Sequence, residues 1–160
     1  MDDSLDELAA RVGEALKARG WMLVTAESCT GGWVGEAVTA ISGSSQWYER
    51  GFITYTNLAK QEMLGVSAAT LDAHGAVSEE TAKEMALGAL SHSHADVAVA
   101  ISGIAGPTGG TPDKPVGTVC FAWATQHGAL YSEKYLFPGD RRDVRQQAVT
   151  MALEGVLALL

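Results

Sequence analysis

The chain has 160 residues, of which 47% are hydrophobic, and this composition is typical of a globular protein rather than a disordered one. Its formal net charge of −8 argues against a general nucleic-acid binder, because such proteins usually carry a basic surface. No apolar run approaches the roughly 20 residues that a membrane helix needs, and residues 1–4 are acidic without an export pattern. We therefore expect one cytoplasmic domain that binds neither nucleic acid nor membrane.

The first part of the chain predicts a helix, a strand and a second helix. Apolar residues at helical spacing follow Ser4, and Gly20 is typical of the residue that ends a helix. A short apolar run then predicts a strand at about residues 22–26. The next helix is expected over about residues 30–41, and a serine-rich loop follows it.

A second strand, rich in β-branched and aromatic residues, is expected at residues 51–55. Asn57 is the predicted cap of a short helix that follows this strand. Ser67 and Ser78 are predicted to cap two further helices, of which the one after Ser78 is the longer. Three helices are therefore expected in succession after the second strand.

Residues 96–102 read DVAVAIS, and this run of apolar residues between Asp96 and Ser102 predicts a strand buried on both faces. A glycine-rich loop follows at residues 103–110. Two more strands are expected at about residues 117–125 and 130–137, with a hairpin connection between them. Asp140 is then the predicted cap of the final helix.

This order of elements predicts the α/β class: a single-domain, three-layer α/β/α sandwich with a mixed, mostly parallel sheet. In such sheets ligands bind beyond the carboxyl ends of the strands. Ser28 follows the first predicted strand, Tyr55 ends the second, and Gly103 follows the third. We therefore expect these three positions to meet in one site.

The most informative motif is residues 25–32, which read TAESCTGG. It places Ser28 where a strand ends and a helix begins, beside two glycines that let backbone amides approach a bound group. The N-terminus of a helix also presents unpaired N–H groups and the positive end of a dipole. A hydroxyl nucleophile next to anion-binding amides is a catalytic arrangement.

A serine nucleophile needs a base, and Lys60 is the favoured candidate. It lies in the first turn of the short helix, five residues after Tyr55, and burial would keep its amine neutral. Tyr55 could relay a proton or orient Lys60, whereas the alternative interpretation of Lys60 is a solvated surface lysine. None of the four histidines falls at the predicted edge of the sheet; they are His74, His92, His94 and His127.

Cys29 is the rival nucleophile, because a thiol near a helix N-terminus can have a lowered pKa. Adjacent residues in extended backbone point in opposite directions, so we expect Ser28 to face the site and Cys29 to pack inward. Cys120 is expected to be a small buried hydrophobe. The cysteines form no CxxC pair and the histidines show no ligand spacing, so no metal site is expected.

Two glycine-containing segments and two arginines are candidates for binding the substrate. Backbone amides near the nucleophile and in the loop after the third strand suit an oxyanion or a phosphate. Arg141 and Arg145 are four residues apart on the last helix and could clamp a phosphate, although ordinary solvated arginines fit the pattern equally. The candidate residues are Thr30, Gly31, Gly32, Gly103, Ile104, Ala105, Gly106, Arg141 and Arg145.

Glu27 admits two interpretations from the sequence alone. Its carboxylate could hydrogen-bond Lys60 or a substrate amide, or it could accept hydrogen bonds from backbone N–H groups in the turn. Several aromatic residues could stack on a flat ring, although core packing is the default for each of them. They are Trp33, Trp47, Tyr48 and Phe52.

Several motifs in order along the chain resemble the CinA C-terminal domain family, over about residues 5–158. They include residues 25–32, the strand at residues 51–55 with Asn57 and Lys60 after it, and residues 102–107. The remaining motifs are residues 74–78, 114–119 and 139–141.

The resemblance implies hydrolysis of the carboxamide of nicotinamide mononucleotide to nicotinate mononucleotide and ammonia, in pyridine nucleotide (NAD) salvage. It implies a serine nucleophile at Ser28 with a lysine at Lys60 and a tyrosine at Tyr55, a homo-oligomer, and no metal or other cofactor. Two alternatives stay open: a non-catalytic nucleotide-binding regulatory module related to competence or damage-inducible proteins, and a Ser–Lys amidase with a substrate that is not a nucleotide.

Overall fold

The computed structural model describes residues 3–160, which contain six α-helices and five β-strands. None of these helices is long and apolar enough to cross a lipid bilayer. The helices are α1 (Asp3–Arg19), α2 (Trp33–Thr39), α3 (Asn57–Leu64), α4 (Ala68–His74), α5 (Glu79–Ser91) and α6 (Arg141–Leu159). The strands are β1 (Leu23–Glu27), β2 (Tyr48–Ile53), β3 (Val97–Gly103), β4 (Thr118–Thr125) and β5 (Leu130–Leu136).

Every predicted element is present, and the differences lie at the ends of elements. β2 starts and ends earlier than the predicted strand, so Tyr55 lies beyond its carboxyl end rather than within it. The reason is that β2 is an edge strand, whose charged residues Glu49 and Arg50 interrupt the apolar pattern by which a strand is recognised.

Two helices also begin at different residues from those predicted. α2 begins at Trp33 because Gly31 and Gly32, with φ of 60° and 103°, form a left-handed turn before it. The cap of α3 is Thr56 rather than Asn57, since the Thr56 hydroxyl accepts the N–H of Ala59. Asn57 is therefore the first residue of α3, and its side chain is not needed as a cap.

The five strands form one sheet in the order β2-β1-β3-β4-β5. β1 is parallel to both β2 and β3, whereas β4 runs antiparallel to β3 and β5 antiparallel to β4. Four strands therefore point in one direction and only β4 is reversed, which confirms the mixed, mostly parallel sheet. Glu27 lies opposite both Ile53 and Ile101, so the carboxyl ends of β1, β2 and β3 meet at one edge.

Helices cover both faces of the sheet, which confirms the three-layer sandwich. On one face, large side chains of the strands pack against α1, α2 and α6; they include Val99, Ile101, Phe121 and Trp123. On the other face, alanines pack against α5 and its neighbours; they include Ala98, Ala100, Ala122 and Ala124. Because side chains alternate across a strand, the size of alternate residues sets how closely each helical layer approaches the sheet.

Candidate active site

A cleft of ≈ 330 Å³ opens at the edge where the three parallel strands end. Its walls come from Ser28 after β1, from Tyr55 after β2, from residues 103–106 at the end of β3 and just beyond it, and from residues 76–77 between α4 and α5. The predicted convergence of three strand ends is therefore confirmed. The parallel register of β1 with both of its neighbours is what brings these segments together.

The Ser28 hydroxyl lies 3.0 Å from the Nζ atom of Lys60. Both side chains are buried, with Lys60 only 1% exposed and Ser28 only 6% exposed, so the interpretation of Lys60 as a solvated surface lysine is wrong. Burial removes water from the ammonium form and thereby lowers the pKa of Lys60 below that of an ordinary lysine. The environment of Lys60 therefore shifts its protonation equilibrium toward the neutral amine, compared with an exposed lysine.

The other contacts of Lys60 fix how a neutral amine would be oriented. Nζ also contacts the backbone carbonyl oxygens of Thr54 at 3.0 Å and Tyr55 at 3.3 Å. A carbonyl oxygen can only accept a hydrogen bond, so the two N–H groups of a neutral amine point at these two oxygens. The lone pair is then left for the Ser28 hydroxyl, which is the orientation needed to remove its proton.

Tyr55 contributes to the cleft through two different groups. Its carbonyl oxygen contacts Lys60, whereas its side chain is 61% exposed and its hydroxyl accepts a hydrogen bond from Arg141 at 3.2 Å. The hydroxyl therefore lies at the mouth of the cleft beside a guanidinium, and the contact with Lys60 is made by the backbone.

Cys29 lies inward from Ser28, as predicted, and belongs to the core beneath the sheet. Burial raises the pKa of its thiol to about 12, so the thiol is protonated near neutral pH. Cys120 is fully buried on the other face, where burial raises its pKa to about 11. Cys29 also forms part of the wall of the cleft, but both thiols are protonated near neutral pH, so neither is a reactive nucleophile there.

Glu27 is 1% exposed, and its carboxylate is committed to the start of α2. Its Oε1 atom accepts from the Thr30 hydroxyl at 2.6 Å and from the amide of Gly32 at 3.2 Å. The amides of Val34 and Gly35 donate to the same carboxylate at 3.0 Å each. These are the unpaired N–H groups at a helix N-terminus, so the second interpretation of Glu27, as a partner of backbone amides, is confirmed.

This cap contradicts the expectation that Thr30, Gly31 and Gly32 present their backbone to the substrate. The amide of Gly31 donates to the carbonyl of Ser28, and the amide of Gly32 donates to Glu27. The three residues line a separate pocket on the side of Trp33, not the cleft that holds Ser28 and Lys60. The physical reason is that a carboxylate within the chain already occupies the anion site at the start of α2.

All four residues predicted after the third strand line the cleft. Gly103 is the last residue of β3 rather than the first of the loop, and Ile104, Ala105 and Gly106 belong to the loop. The loop is held at its base, since Ile104 donates its N–H to the carbonyl of Thr118 at 2.9 Å and accepts the N–H of Gly117 at 2.8 Å. The amides of Ala105 and Gly106 follow this anchor directly and belong to buried residues in the wall of the cleft.

The two predicted arginines separate, and only Arg141 lines the cleft. Its guanidinium donates to the carbonyl of Gly106 at 2.8 Å and to the Tyr55 hydroxyl at 3.2 Å, so it spans the mouth between two walls. Arg145 lies behind the turn that follows Ser28 instead, and it donates to the carbonyls of Cys29 and Thr30. The geometry therefore contradicts a clamp made by both arginines.

Sequence reasoning missed several residues that line the cleft. Asn57 was expected to cap α3, but Thr56 does so and leaves the Asn57 side chain at the cleft. The segment at residues 76–77 had a signal, since it belongs to a motif of the family resemblance, but no role in a site was inferred for it. The remaining members are Ser102, Thr108 and Gly109.

The other side chains considered as site residues lie elsewhere. None of the four histidines lines the cleft, and Trp47 is buried in the core. Tyr48 shares a hydrogen bond with Thr25, and Phe52 packs against the second core cluster. Within residues 3–160, no group of three or more His, Cys, Asp or Glu side chains is arranged to hold a metal ion.

Comparison with known proteins identifies relatives that match nearly the whole chain. The sequence profile of the CinA C-terminal domain matches residues 5–160. The nicotinamide-nucleotide amidohydrolase PncC of Escherichia coli strain K12 is 57% identical over 153 residues, which are 96% of this chain and 93% of that protein. The protein of the same name from Pseudomonas putida is 48% identical and covers 98% of both chains.

A solved structure has the same fold. The crystal structure of competence/damage inducible protein CihA from Agrobacterium tumefaciens superposes with a TM-score of 0.97 at 46% identity. The match covers 99% of this chain and 97% of that one.

The cap at the start of α2 predicts a loss of stability when Glu27 is replaced by glutamine. One oxygen of Glu27→Gln becomes an NH₂ group that faces backbone donors, so we expect the free energy of unfolding in urea to fall by about 1.5–3 kcal/mol. The matched control is Glu36→Gln, an exposed carboxylate on the same helix, which should change this free energy by less than about 0.5 kcal/mol. Equal stability of Glu27→Gln and the wild type would contradict the assignment of the cap.

Proposed function

This chain belongs to the CinA C-terminal domain family, and from that premise we propose that it hydrolyses nicotinamide mononucleotide to nicotinate mononucleotide and ammonia. Relatives at 48–57% identity over nearly the whole chain are named nicotinamide-nucleotide amidohydrolase, which supports the reaction. The observation that carries the proposal is the buried contact of 3.0 Å between the Ser28 hydroxyl and the Lys60 amine. The reaction belongs to pyridine nucleotide salvage, because it turns an amide of the nicotinamide series into the corresponding acid.

The chemistry begins with attack of the Ser28 oxygen on the carboxamide carbon while neutral Lys60 takes the hydroxyl proton. The tetrahedral intermediate then breaks its C–N bond, and the protonated Lys60 returns the proton to the departing nitrogen, which leaves as ammonia. Water, activated in turn by Lys60, attacks the resulting ester and releases nicotinate mononucleotide with Ser28 restored. No group outside the chain and its two substrates is needed to balance these steps.

The oxyanion of the intermediate is assigned to the backbone amides of Ala105 and Gly106. These residues lie in the wall of the cleft that holds Ser28, whereas the amides of Gly31 and Gly32 already donate to acceptors within the chain. Backbone donors fixed before the reaction stabilise a developing negative charge without reorganisation.

The phosphate of the substrate is assigned to Arg141. Its guanidinium spans the mouth of the cleft, and its present acceptors are a neutral carbonyl and a neutral hydroxyl. A phosphate offers stronger, charge-assisted hydrogen bonds to the same fork. Tyr55 assists in two ways, since its carbonyl orients Lys60 and its hydroxyl holds Arg141 at the mouth.

The competing function is a nucleotide-binding module without catalysis. A binding site alone has no use for a buried lysine directed at a serine, and that contact favours the enzyme. Release of ammonia from nicotinamide mononucleotide by the purified protein separates the two functions, because a binding module would hold the nucleotide without turnover.

We expect Ser28→Ala to abolish ammonia release and Lys60→Arg to lower kcat by about 10²–10⁴-fold, because arginine cannot become a neutral base. Both effects are measured by coupled detection of ammonia, with thermal unfolding to confirm that the variants are folded. Lys17→Arg, the same change at an exposed position on α1, is the control and should retain full activity. Unchanged turnover in Ser28→Ala would remove the proposed nucleophile.

The lowered pKa of Lys60 predicts how activity depends on pH. Protonated Lys60 is inactive, so kcat/KM should rise with increasing pH through the pKa of Lys60, and this midpoint should lie below the value of about 10.4 for a free lysine. The pH profile of ammonia release measures the midpoint. A profile that falls with increasing pH over this limb would show that a protonated group, not a neutral amine, is required.

Arg141→Met should raise KM for nicotinamide mononucleotide by roughly 10-fold or more, since a charge-assisted pair to phosphate contributes about 1.5–3 kcal/mol. The same change should leave turnover of nicotinamide riboside, which lacks the phosphate, nearly unchanged. Arg142→Met is the matched control, one residue further along the same helix and outside the cleft. Equal losses on both substrates in Arg141→Met would contradict the assignment of the phosphate.

A further inference from the structure

We infer that Arg145 is a positioning residue, which holds the turn after Ser28 in place and does not meet the substrate. This inference rests on the proposed function, since it assigns Arg145 a role in the step that Ser28 carries out. It replaces the interpretation of Arg145 as half of a phosphate clamp.

The first observation is the direction of the guanidinium. Its Nε atom donates to the carbonyl of Cys29 at 3.0 Å, and its Nη2 atom donates to the carbonyl of Thr30 at 3.2 Å. These carbonyls belong to the two residues that directly follow the nucleophile. Arginine suits this task, because its planar fork presents donors in a fixed geometry to two acceptors at once.

The second observation is that the guanidinium is held from its other side. It lies over the ring of Trp33, 5.5 Å from the ring centre, and Trp33 is the first residue of α2. A cation above an aromatic face is attracted to the ring. Arg145 thus joins α6 to the turn and to the start of α2 through contacts that include no substrate atom.

The third observation is that the turn is held by charges of opposite sign. Glu27 accepts the Thr30 hydroxyl and the amide of Gly32, whereas Arg145 donates to the carbonyls on the same turn. A turn with two glycines in the left-handed region is conformationally permissive, so it needs such restraints to keep one geometry. The geometry that they keep is the one with Ser28 within 3.0 Å of Lys60.

The fourth observation is where Arg145 lies. It lines the pocket of ≈ 480 Å³ behind the turn, together with Leu5 and Trp33, and is absent from the cleft that contains Ser28 and Arg141. A substrate whose carboxamide reaches Ser28 through the cleft is therefore separated from Arg145 by the turn itself.

The experiment compares Arg145→Met with Arg142→Met. Arg142 also lies over the ring of Trp33, at 5.1 Å, but in residues 3–160 it is Arg145 that donates to the turn. We expect Arg145→Met to lower kcat by about 10–100-fold, as for a nucleophile displaced by a fraction of an ångström to 1 Å. KM for nicotinamide mononucleotide should change less than about twofold, and Arg142→Met should keep the wild-type kcat and KM.

Two further measurements distinguish positioning from substrate binding and from a general loss of structure. The ratio of activities on nicotinamide mononucleotide and nicotinamide riboside should stay at its wild-type value in Arg145→Met. Labelling of Ser28 by a fluorophosphonate probe, followed by mass spectrometry, should slow by the same factor as kcat, because the probe lacks the nucleotide. Methylguanidinium should restore part of the labelling rate in Arg145→Ala, which a collapsed structure would not allow.

A rise in KM for the nucleotide alone in Arg145→Met, with a changed ratio between the two substrates, would overturn the inference in favour of substrate binding. Wild-type kinetics and labelling in Arg145→Met would also overturn it. If Arg145→Met does not fold, Arg145→Gln serves in its place, because glutamine is shorter and uncharged and so loses both the fork of donors and the attraction to the ring of Trp33. In this variant too, kcat should fall while KM holds. Slower labelling of Ser28 in a protein that releases no ammonia from the nucleotide would support the positioning role while rejecting the proposed substrate.

Discussion

The candidate active site depends on one buried contact, the one between the Lys60 amine and the Ser28 hydroxyl. A buried ammonium without an opposite charge is costly, so an unpaired lysine in such a place favours its neutral form. The carboxylate adjacent to Ser28 in sequence, that of Glu27, is turned toward α2 and accepts four hydrogen bonds there. Had Glu27 paired with Lys60 instead, it would have held the amine in its charged form. The commitment of Glu27 to α2 therefore keeps this carboxylate from stabilising the charged form of Lys60.

The sheet brings this contact about through the direction of its strands. β1 lies between two parallel neighbours, so the segments that leave β1, β2 and β3 all leave at the same edge. The reversed strand β4 completes the edge, because its first residue, Thr118, accepts the amide of Ile104 and holds the loop after β3 against the cleft. An all-parallel arrangement would have placed the start of β4 at the opposite edge and left this loop without its anchor.

Much of this arrangement could be predicted from the sequence. The features that could not be predicted have one physical cause in common. The class of fold and the order of the elements follow from patterns within short segments, and the structure contains both. The pairing of Ser28 with Lys60 rests mainly on the resemblance to the CinA C-terminal domain family, and the structure brings these two side chains together. The partner of Glu27 could not be decided, because a carboxylate accepts equally from an amine or from backbone amides and only the path of the chain selects between them.

The prediction that Arg141 and Arg145 bind one phosphate together was wrong for a similar reason. Residues four apart share one face of a helix, but they are separated by about one turn, roughly 5–6 Å along the axis. At the start of α6 that distance is enough to put Arg141 at the mouth of the cleft and Arg145 behind the turn that carries the nucleophile. The spacing in the sequence predicts correctly that both arginines lie on one face of α6. It does not predict where the turn after Ser28 lies relative to α6, because that depends on the tertiary structure.

The N-termini of the helices add a constraint on how an anionic substrate is bound. α2 is capped by the carboxylate of Glu27, and α6 by the carboxylate of Asp140 in a capping box with Asp143. Each carboxylate accepts hydrogen bonds from backbone N–H groups that could otherwise bind a phosphate. In a chain with a net charge of −8, the binding of an anion at this site therefore depends on positive side chains and on loop amides rather than on the N-termini of these two helices. Arg141 and the loop of residues 103–106 supply these two kinds of donor in the same cleft as Ser28, and so we expect affinity for the phosphate and stabilisation of the oxyanion to be separable by mutation.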